Sequence, residues 1–118
     1  MELNHLNLVV SNVAEAIHFF ETYFNFKCTE IKGEDIIAIL NGSNDFTLVI
    51  AKSKEGNPFY PGSFHIGFLL ESEEEVTETY QKLKSGGIIV GHEPKKIRDS
   101  FGFYFNFENI MIEVGHYY

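Results

Sequence analysis

Several features are scarce or absent in this chain of 118 residues, and each absence excludes a class of protein. Cys28 is the only cysteine, so no intrachain disulfide can form, and we expect a protein of the reducing cytoplasm. No apolar run approaches the roughly 20 residues that a membrane-spanning helix requires. The start, Met1-Glu2-Leu3-Asn4, lacks the basic and apolar regions of a signal peptide. We therefore expect no membrane partner.

Basic residues and tryptophan are scarce as well. The chain has nine Lys and Arg and 17 Asp and Glu, which gives a formal net charge of −8. An acidic cluster covers residues 71–78. We expect no nucleic-acid partner, because phosphate neutralisation needs clustered Lys and Arg. Tryptophan is absent, but 12 Phe and 6 Tyr are present. Most of these rings are expected in the core, and the others can line a pocket for an aromatic or apolar small molecule.

The most informative feature that is present is an internal repeat. Residues 3–10 align with residues 63–70 at an offset of 60, which pairs His5 with His65. Near the end of each copy, residues 46–50 align with residues 110–114 at an offset of 64, which pairs Val49 with Glu113. The period is too long and the copies are too few for a solenoid. The repeat therefore indicates two fused copies of one module within a single domain.

Each copy predicts a strand, a helix and three further strands. Capping boxes mark both helix starts, at Asn12 with Glu15 and at Ser72 with Glu75. Turn residues separate the strands, and the Pro- and Gly-containing residues 53–62 form a linker between module one, 1–52, and module two, 63–118. The predicted strands cover about residues 2–10, 26–31, 35–41 and 46–51 in module one, and 64–70, 88–92, 100–107 and 110–114 in module two.

Three residues with ligand chemistry fall on matching faces of this repeat. Successive strand residues point to opposite faces, so a helix packed on the apolar positions leaves the intervening residues on the other side. His5, His65 and Glu113 each take such an intervening position. Imidazole nitrogen and carboxylate oxygen suit first-row divalent metals, and three protein ligands leave positions open for substrate or water. If the two sheets face each other, these side chains form a candidate metal site in one cleft.

Each of these residues also has an ordinary structural interpretation. A single histidine among apolar residues is most often part of a core or a sheet edge. A glutamate between Ile112 and Val114 is typical of a solvated strand face. The metal interpretation depends on the three residues occurring together at repeat-related positions, and the residues alone leave both interpretations open.

The same segments resemble a known family. The chain is similar to the vicinal oxygen chelate superfamily, the group of glyoxalase I, bleomycin-resistance proteins and extradiol dioxygenases. The resemblance covers essentially the whole chain. It is carried by His5, Asn12–Phe20, Phe64–Phe68, Gly102–Phe105 and Ile112–Val114.

The resemblance implies a fold, a cofactor and an assembly. The fold is α+β, with two βαβββ modules that form a cupped open barrel in one glyoxalase-like domain over residues 1–118. A divalent ion of Mn, Fe, Ni, Co or Zn is expected on His5, His65 and Glu113. A homodimer with exchanged modules is expected, so that His5 of one subunit joins His65 and Glu113 of the other.

The implied function is that of an enzyme acting on a small molecule through bidentate oxygen chelation, as a lyase, isomerase, thiol transferase or dioxygenase. The alternative is a non-catalytic, bleomycin-resistance-like protein that binds an aromatic small molecule. Five residues are predicted to contact the ligand, namely Asn7, Thr47, Val49, Phe103 and Met111. No residue stands out as a general base, so the catalytic residues stay open.

The chain departs from the known members at several positions. Glyoxalase I enzymes carry an acidic fourth ligand where this chain has Val49, which argues against ordinary glyoxalase I activity. The fosfomycin thiol transferases carry a tyrosine where this chain has Phe103, and extradiol dioxygenases usually have longer chains. Residues 106–109 replace the usual Asp-Pro-x-Gly turn, which concerns turn geometry rather than chemistry.

Overall fold

The computed structural model describes residues 1–118, which form two compact units, unit one at Met1–Pro58 and unit two at Phe59–Tyr118. Unit one has the order β-α-β-β-β, with a short 3-10 turn before its last strand. Its elements are β1 (His5–Val10), α1 (Val13–Tyr23), β2 (Lys27–Lys32), β3 (Ile37–Asn41), the turn Ser43–Asp45 and β4 (Thr47–Lys52). The four strands form one mixed sheet in the order β1-β4-β3-β2, in which β1 and β4 are parallel.

Unit two repeats the same order. Its elements are β5 (His65–Leu69), α2 (Glu73–Ser85), β6 (Lys95–Ile97), β7 (Ser100–Phe107) and β8 (Ile110–Tyr117). The sheet order β5-β8-β7-β6 matches that of unit one, and β5 and β8 are parallel. The predicted α+β fold of two βαβββ modules is confirmed. Neither helix has the length and hydrophobicity that crossing a membrane would require.

The strand register confirms the internal repeat at the level of single residues. In unit one His5 pairs with Thr47, and Asn7 pairs with Val49. In unit two His65 pairs with Met111, and two residues on Gly67 pairs with Glu113. Glu113 therefore takes the same place in its sheet that Val49 takes in the other.

One predicted strand is wrong. Residues 88–92 are not a strand, and the fourth strand of unit two is formed instead by Lys95–Ile97. A two-residue turn with Arg98 at φ 55° joins this strand to β7, and the pair Ile97 and Ser100 sets the register. Earlier in the chain, the ring of His92 accepts a hydrogen bond from the backbone N–H of Tyr104 at 3.4 Å. The His92 side chain thus accepts a hydrogen bond from Tyr104, a β7 residue that pairs with no residue of β6.

Each unit buries one face of its sheet beneath its helix. In unit one the buried helix residues are Val13, Ala16, Phe19 and Phe20. In unit two Val76, Tyr80 and Leu83 are buried on the helix, and Tyr80 lies edge-on to Phe103 with ring centroids 5.6 Å apart. The alternate residues of each strand therefore lie on the side of the sheet away from the helix.

Both predicted helix caps are present, and one gives a stability prediction. The Ser72 hydroxyl accepts a hydrogen bond from the Glu75 backbone N–H at 3.1 Å, and the Glu75 carboxylate accepts one from the Glu71 N–H at 2.9 Å. Ser72→Ala leaves the first of these donors without its side-chain partner. We expect a loss of about 1 kcal/mol, or about 4 °C in the midpoint of thermal unfolding measured by circular dichroism.

Ser72→Asn is the matched control, because Asn caps a helix about as well as Ser. It should unfold close to the wild-type temperature. Equal losses in the two variants would show that the cap contributes little.

Candidate metal-binding site

The exposed side of the unit-two sheet carries a histidine and a glutamate from neighbouring parallel strands. Ile112 and Val114 of β8 are fully buried on the helix side, so the residue between them points to the other side. That residue is Glu113, and the His65 side chain of β5 lies on the same side. His65 Nε2 and Glu113 Oε1 are 3.6 Å apart. Strand alternation alone predicts this placement, and the parallel register of β5 and β8 brings the two groups within reach of one ion.

Glu113 is more deeply buried than His65, so it depends more on a partner of opposite charge. The Glu113 side chain is 15% exposed, whereas the His65 side chain is 45% exposed. A largely desolvated carboxylate needs a partner, because removing its water without compensation is costly. The site therefore favours a positive charge beside Glu113.

The tautomer of His65 indicates what that positive charge can be. His65 Nδ1 lies 3.0 Å from the backbone carbonyl oxygen of Ser63. A carbonyl only accepts, so Nδ1 carries the proton and donates, which leaves the Nε2 lone pair directed toward Glu113. Two lone pairs that face each other at 3.6 Å repel unless a proton or a metal ion lies between them. Metal-binding histidines are commonly held in this way, with the second ring nitrogen donating to a backbone carbonyl.

The donor spacing also fits a metal. Zinc lies about 2.1 Å from imidazole nitrogen and carboxylate oxygen, so two such ligands in tetrahedral geometry are about 3.4 Å apart. The observed spacing of 3.6 Å is close to this value. No group of three or more His, Cys, Asp or Glu side chains in the structure is placed to hold a metal. Two ligands are therefore arranged in unit two, and a third is not arranged beside them.

Two tyrosines that the sequence interpretation did not identify complete the surroundings of Glu113. Tyr117 donates a hydrogen bond from its hydroxyl to Glu113 Oε2 at 3.3 Å. Tyr104, paired with Glu113 across β7 and β8, also hydrogen-bonds it, and its ring lies edge-on to His65 with centroids 6.3 Å apart. The signal was available, because Tyr117 follows Glu113 by four residues and strand alternation places both on one face.

The pKa values of both phenols are raised by this arrangement. For Tyr104 the larger cause is burial, followed by the negative charge of Glu113. For Tyr117 the charge of Glu113 raises the pKa most, followed by burial. Because phenols ordinarily ionise near pH 10, a raised pKa keeps both hydroxyls protonated at neutral pH. Both tyrosines can therefore donate hydrogen bonds under physiological conditions.

Phe103 does not lie on this face. It is fully buried and packs against Tyr80 of the helix and against Phe105. The strand alternates, so the neighbouring Tyr104 takes the place toward Glu113 that had been expected for Phe103. Phe103 is a core residue, and we do not retain it as a ligand contact. Met111 is half-buried and pairs with His65, on the expected face.

Unit one carries the other predicted residues on the equivalent face of its sheet. His5 is exposed, and its Nδ1 lies 2.8 Å from the side-chain oxygen of Asn4, which leaves its Nε2 lone pair free. Asn7 is exposed, whereas Thr47 and Val49 are half-buried on the neighbouring strand. No carboxylate occurs at the Val49 position. Unit one thus offers one imidazole and one amide where unit two offers an imidazole and a carboxylate.

A concavity of about 210 Å³ lies beside Glu113 in unit two. Its lining consists of Gly67, Phe68, Leu69, Glu113, Gly115 and Tyr117. Leu69 is 68% exposed and Tyr117 is 57% exposed, so apolar surface borders the carboxylate. The surface suits a small molecule that combines an apolar part with oxygen atoms.

The fold and this site together define a two-module βαβββ protein with a metal-type His and Glu pair. The chain matches the family described as Glyoxalase/Bleomycin resistance protein/Dioxygenase superfamily over residues 2–113. The chain belongs to this superfamily, as its resemblance to vicinal oxygen chelate proteins predicted.

Solved structures share this fold, and one of them is also similar in sequence. A possible glyoxalase from Bacillus cereus is 37% identical, with 97% of each chain covered and a TM-score of 0.81. A glyoxylase/bleomycin resistance protein/dioxygenase domain from Frankia is similar in fold, with a TM-score of 0.85 at 16% identity, covering 100% of this chain and 98% of that chain. The fosfomycin resistance protein FosX from Listeria monocytogenes has a TM-score of 0.78 at 20% identity, with 98% of this chain and 93% of that chain covered. No curated protein matched the chain.

Proposed function

We propose that this chain is a divalent-metal-dependent enzyme that acts on a small molecule bound through two neighbouring oxygen atoms. The observation that carries the proposal is the pair of His65 Nε2 and Glu113 Oε1 at 3.6 Å, with the histidine tautomer set by Ser63. When bound, a divalent ion acts as a Lewis acid that polarises substrate oxygens and stabilises negative charge on them. Mn²⁺, Fe²⁺, Co²⁺, Ni²⁺ and Zn²⁺ all suit this donor set.

The protein residues have distinct roles in this proposal. His65 and Glu113 bind the ion, and His5 supplies a third protein ligand because it is the repeat mate of His65 and has a free Nε2. Tyr104 and Tyr117 hold the Glu113 carboxylate with their hydroxyl donors. Asn7 hydrogen-bonds the substrate, while Thr47, Val49 and Met111 line the apolar part of its site.

The reaction belongs to the lyase, isomerase, thiol-transferase or dioxygenase types rather than to ordinary glyoxalase I. A fourth acidic ligand would need a carboxylate at the Val49 position, where the side chain is apolar. His5, His65 and Glu113 alone would hold the ion with positions left open for both substrate oxygens. A cytoplasmic location suits a protein whose single cysteine forms no intrachain disulfide.

Metal content is the direct test. The purified, untagged protein should hold about one divalent ion per chain, measured by elemental analysis after dialysis against each of the five metals. His65→Ala and His5→Ala should each lose most of that metal. His18→Ala is the matched control, since His18 is exposed on α1, and it should keep the metal. A wild-type protein that retains none of the five ions would overturn the proposal.

We also propose a homodimer in which His5 of one subunit completes the site of the other. Dilution should then release the metal together with dissociation, followed by analytical ultracentrifugation and a metal-sensitive dye in the same samples. Tight binding of one ion by an isolated monomer would contradict the exchange of modules while leaving the metal site intact.

A second candidate function is supported by the concavity beside Glu113. The exposed Leu69 and Tyr117 border it and suit an aromatic ligand without any chemistry. In that case the metal-free protein should bind a small aromatic probe such as 1-anilinonaphthalene-8-sulfonate, measured by isothermal titration calorimetry, and Leu69→Ser should weaken this binding. A metal requirement for binding would favour the enzyme proposal instead.

A further inference from the structure

We propose that Tyr117 is a positioning residue of the metal site, which holds one oxygen of Glu113 and thereby aims the other at His65. The inference rests on the metal site proposed above and adds a residue to it. Its basis is the way in which the two oxygens of one carboxylate are divided between two partners.

The division is visible in the distances. Oε2 of Glu113 accepts the hydrogen bond from the Tyr117 hydroxyl at 3.3 Å, while Oε1 lies 3.6 Å from His65 Nε2. A carboxylate whose Oε2 is held in this way presents a single oxygen on the histidine side. A carboxylate held in this way would bind a divalent ion through one oxygen.

Glycine neighbours explain why such a hydrogen bond is needed. Glu113 lies beside Gly67 on the adjacent strand, and Gly115 follows it by two residues on its own strand. Neither glycine has a side chain that could pack against the carboxylate and fix its orientation. A Cβ atom at Gly67 would lie 3.7 Å from Oε1, and one at Gly115 would lie 3.8 Å from Oε2. Without such packing, the orientation of the carboxylate depends on its hydrogen bonds.

The ring of Tyr117 lies beside Gly115. A Cβ atom at Gly115 would lie 3.8 Å from Cε1 of Tyr117, so the phenol ring lies over the glycine on its way to Glu113. The ring is therefore directed back along β8 toward the carboxylate. Hydrogen-bonding partners of this kind orient metal ligands, and their loss commonly weakens metal binding by about 10- to 100-fold.

Tyr104 is a second donor to Glu113, but it is less suitable for a test. Its ring also contacts His65 edge-on, so its substitution would disturb both metal ligands. Tyr117 touches the glutamate of the pair through its hydroxyl and is 57% exposed, so removing one oxygen there should not disturb the core. Tyr117 is thus the residue whose substitution isolates the positioning effect.

The test compares Tyr117→Phe with the wild-type protein by competition of Zn²⁺ and Mn²⁺ against a chelating dye. We expect Kd to rise about 10-fold or more in the variant, with the unfolding temperature of the metal-free protein unchanged and its rise on adding metal reduced. Tyr118→Phe is the matched control, because it removes a hydroxyl that bonds Glu73 rather than Glu113. Its metal affinity should equal that of the wild type.

The outcomes separate this inference from the proposed function. Wild-type metal binding with the same Kd in Tyr117→Phe would overturn the positioning role and leave the metal site standing. An equal loss in Tyr118→Phe would also overturn it, because the effect would then not depend on the contact with Glu113. Absence of metal binding in the wild type would overturn the proposed function and the positioning role together.

Discussion

Glu113→Gln is expected to weaken divalent-metal binding by more than about 100-fold, beyond the range typical of residues that only orient a ligand. The substitution keeps the shape of the side chain and still offers Tyr117 an oxygen acceptor, so the fold should persist. It removes the negative charge that a largely desolvated position directs at His65 Nε2. A neutral amide is a much weaker ligand for first-row metals than a carboxylate.

The measurement is Kd for Mn²⁺ and Zn²⁺ by calorimetry, beside circular dichroism to confirm folding. Glu78→Gln is the matched control. Glu78 is exposed on α2, and its substitution removes the same charge from unit two. In this variant Kd should change only as much as the loss of one negative charge from the whole protein explains. Similar Kd values for Glu113→Gln and the wild type would show that the carboxylate is not a ligand.

Gly102→Ala is expected to cost about 3 kcal/mol or more and to lower the thermal midpoint by about 10 °C or more. A Cβ atom at this position would lie 2.3 Å from the Val114 carbonyl oxygen and 2.9 Å from the Gly115 Cα atom. Both belong to the backbone of β8, which cannot move aside as a flexible side chain can. Glycine within a strand often marks such a close approach of two backbones.

Gly91→Ala is the control for this prediction, since nothing lies within 4 Å of an added Cβ atom there. It should unfold close to the wild-type temperature. Because β8 also carries Glu113, a surviving Gly102→Ala protein should bind metal more weakly as well. A Gly102→Ala protein as stable as Gly91→Ala would show that β7 and β8 are more loosely joined than the structure indicates.

The asymmetry between the two units bears on specificity. The sheets share one register, yet the Val49 position in unit one has no donor atom where unit two has Glu113. In the proposed site, a single carboxylate would leave less negative charge around an ion than two would, which would strengthen the action of the ion on substrate oxygens.

Much of the site on unit two could be predicted from particular residues. The apolar residues 112 and 114 place Glu113 on the opposite face, and the repeat places His65 on the same side of its own strand. The roles of Tyr104 and Phe103 could not be assigned in this way. Both lie in the run Phe103–Phe105, where every residue is aromatic and has strand propensity, so the composition does not tell which face is buried.

The sequence by itself determined the two-module order, the helix caps and the face of each strand on which His5, His65 and Glu113 lie, because these follow from repeat spacing and local backbone geometry. Only the tertiary structure decided which strand pairs with β7, since the Arg98 turn favoured residues 95–97 over residues 88–92. It alone joined Tyr104 to Glu113, because that contact depends on the register between β7 and β8, which is not a local property of the chain.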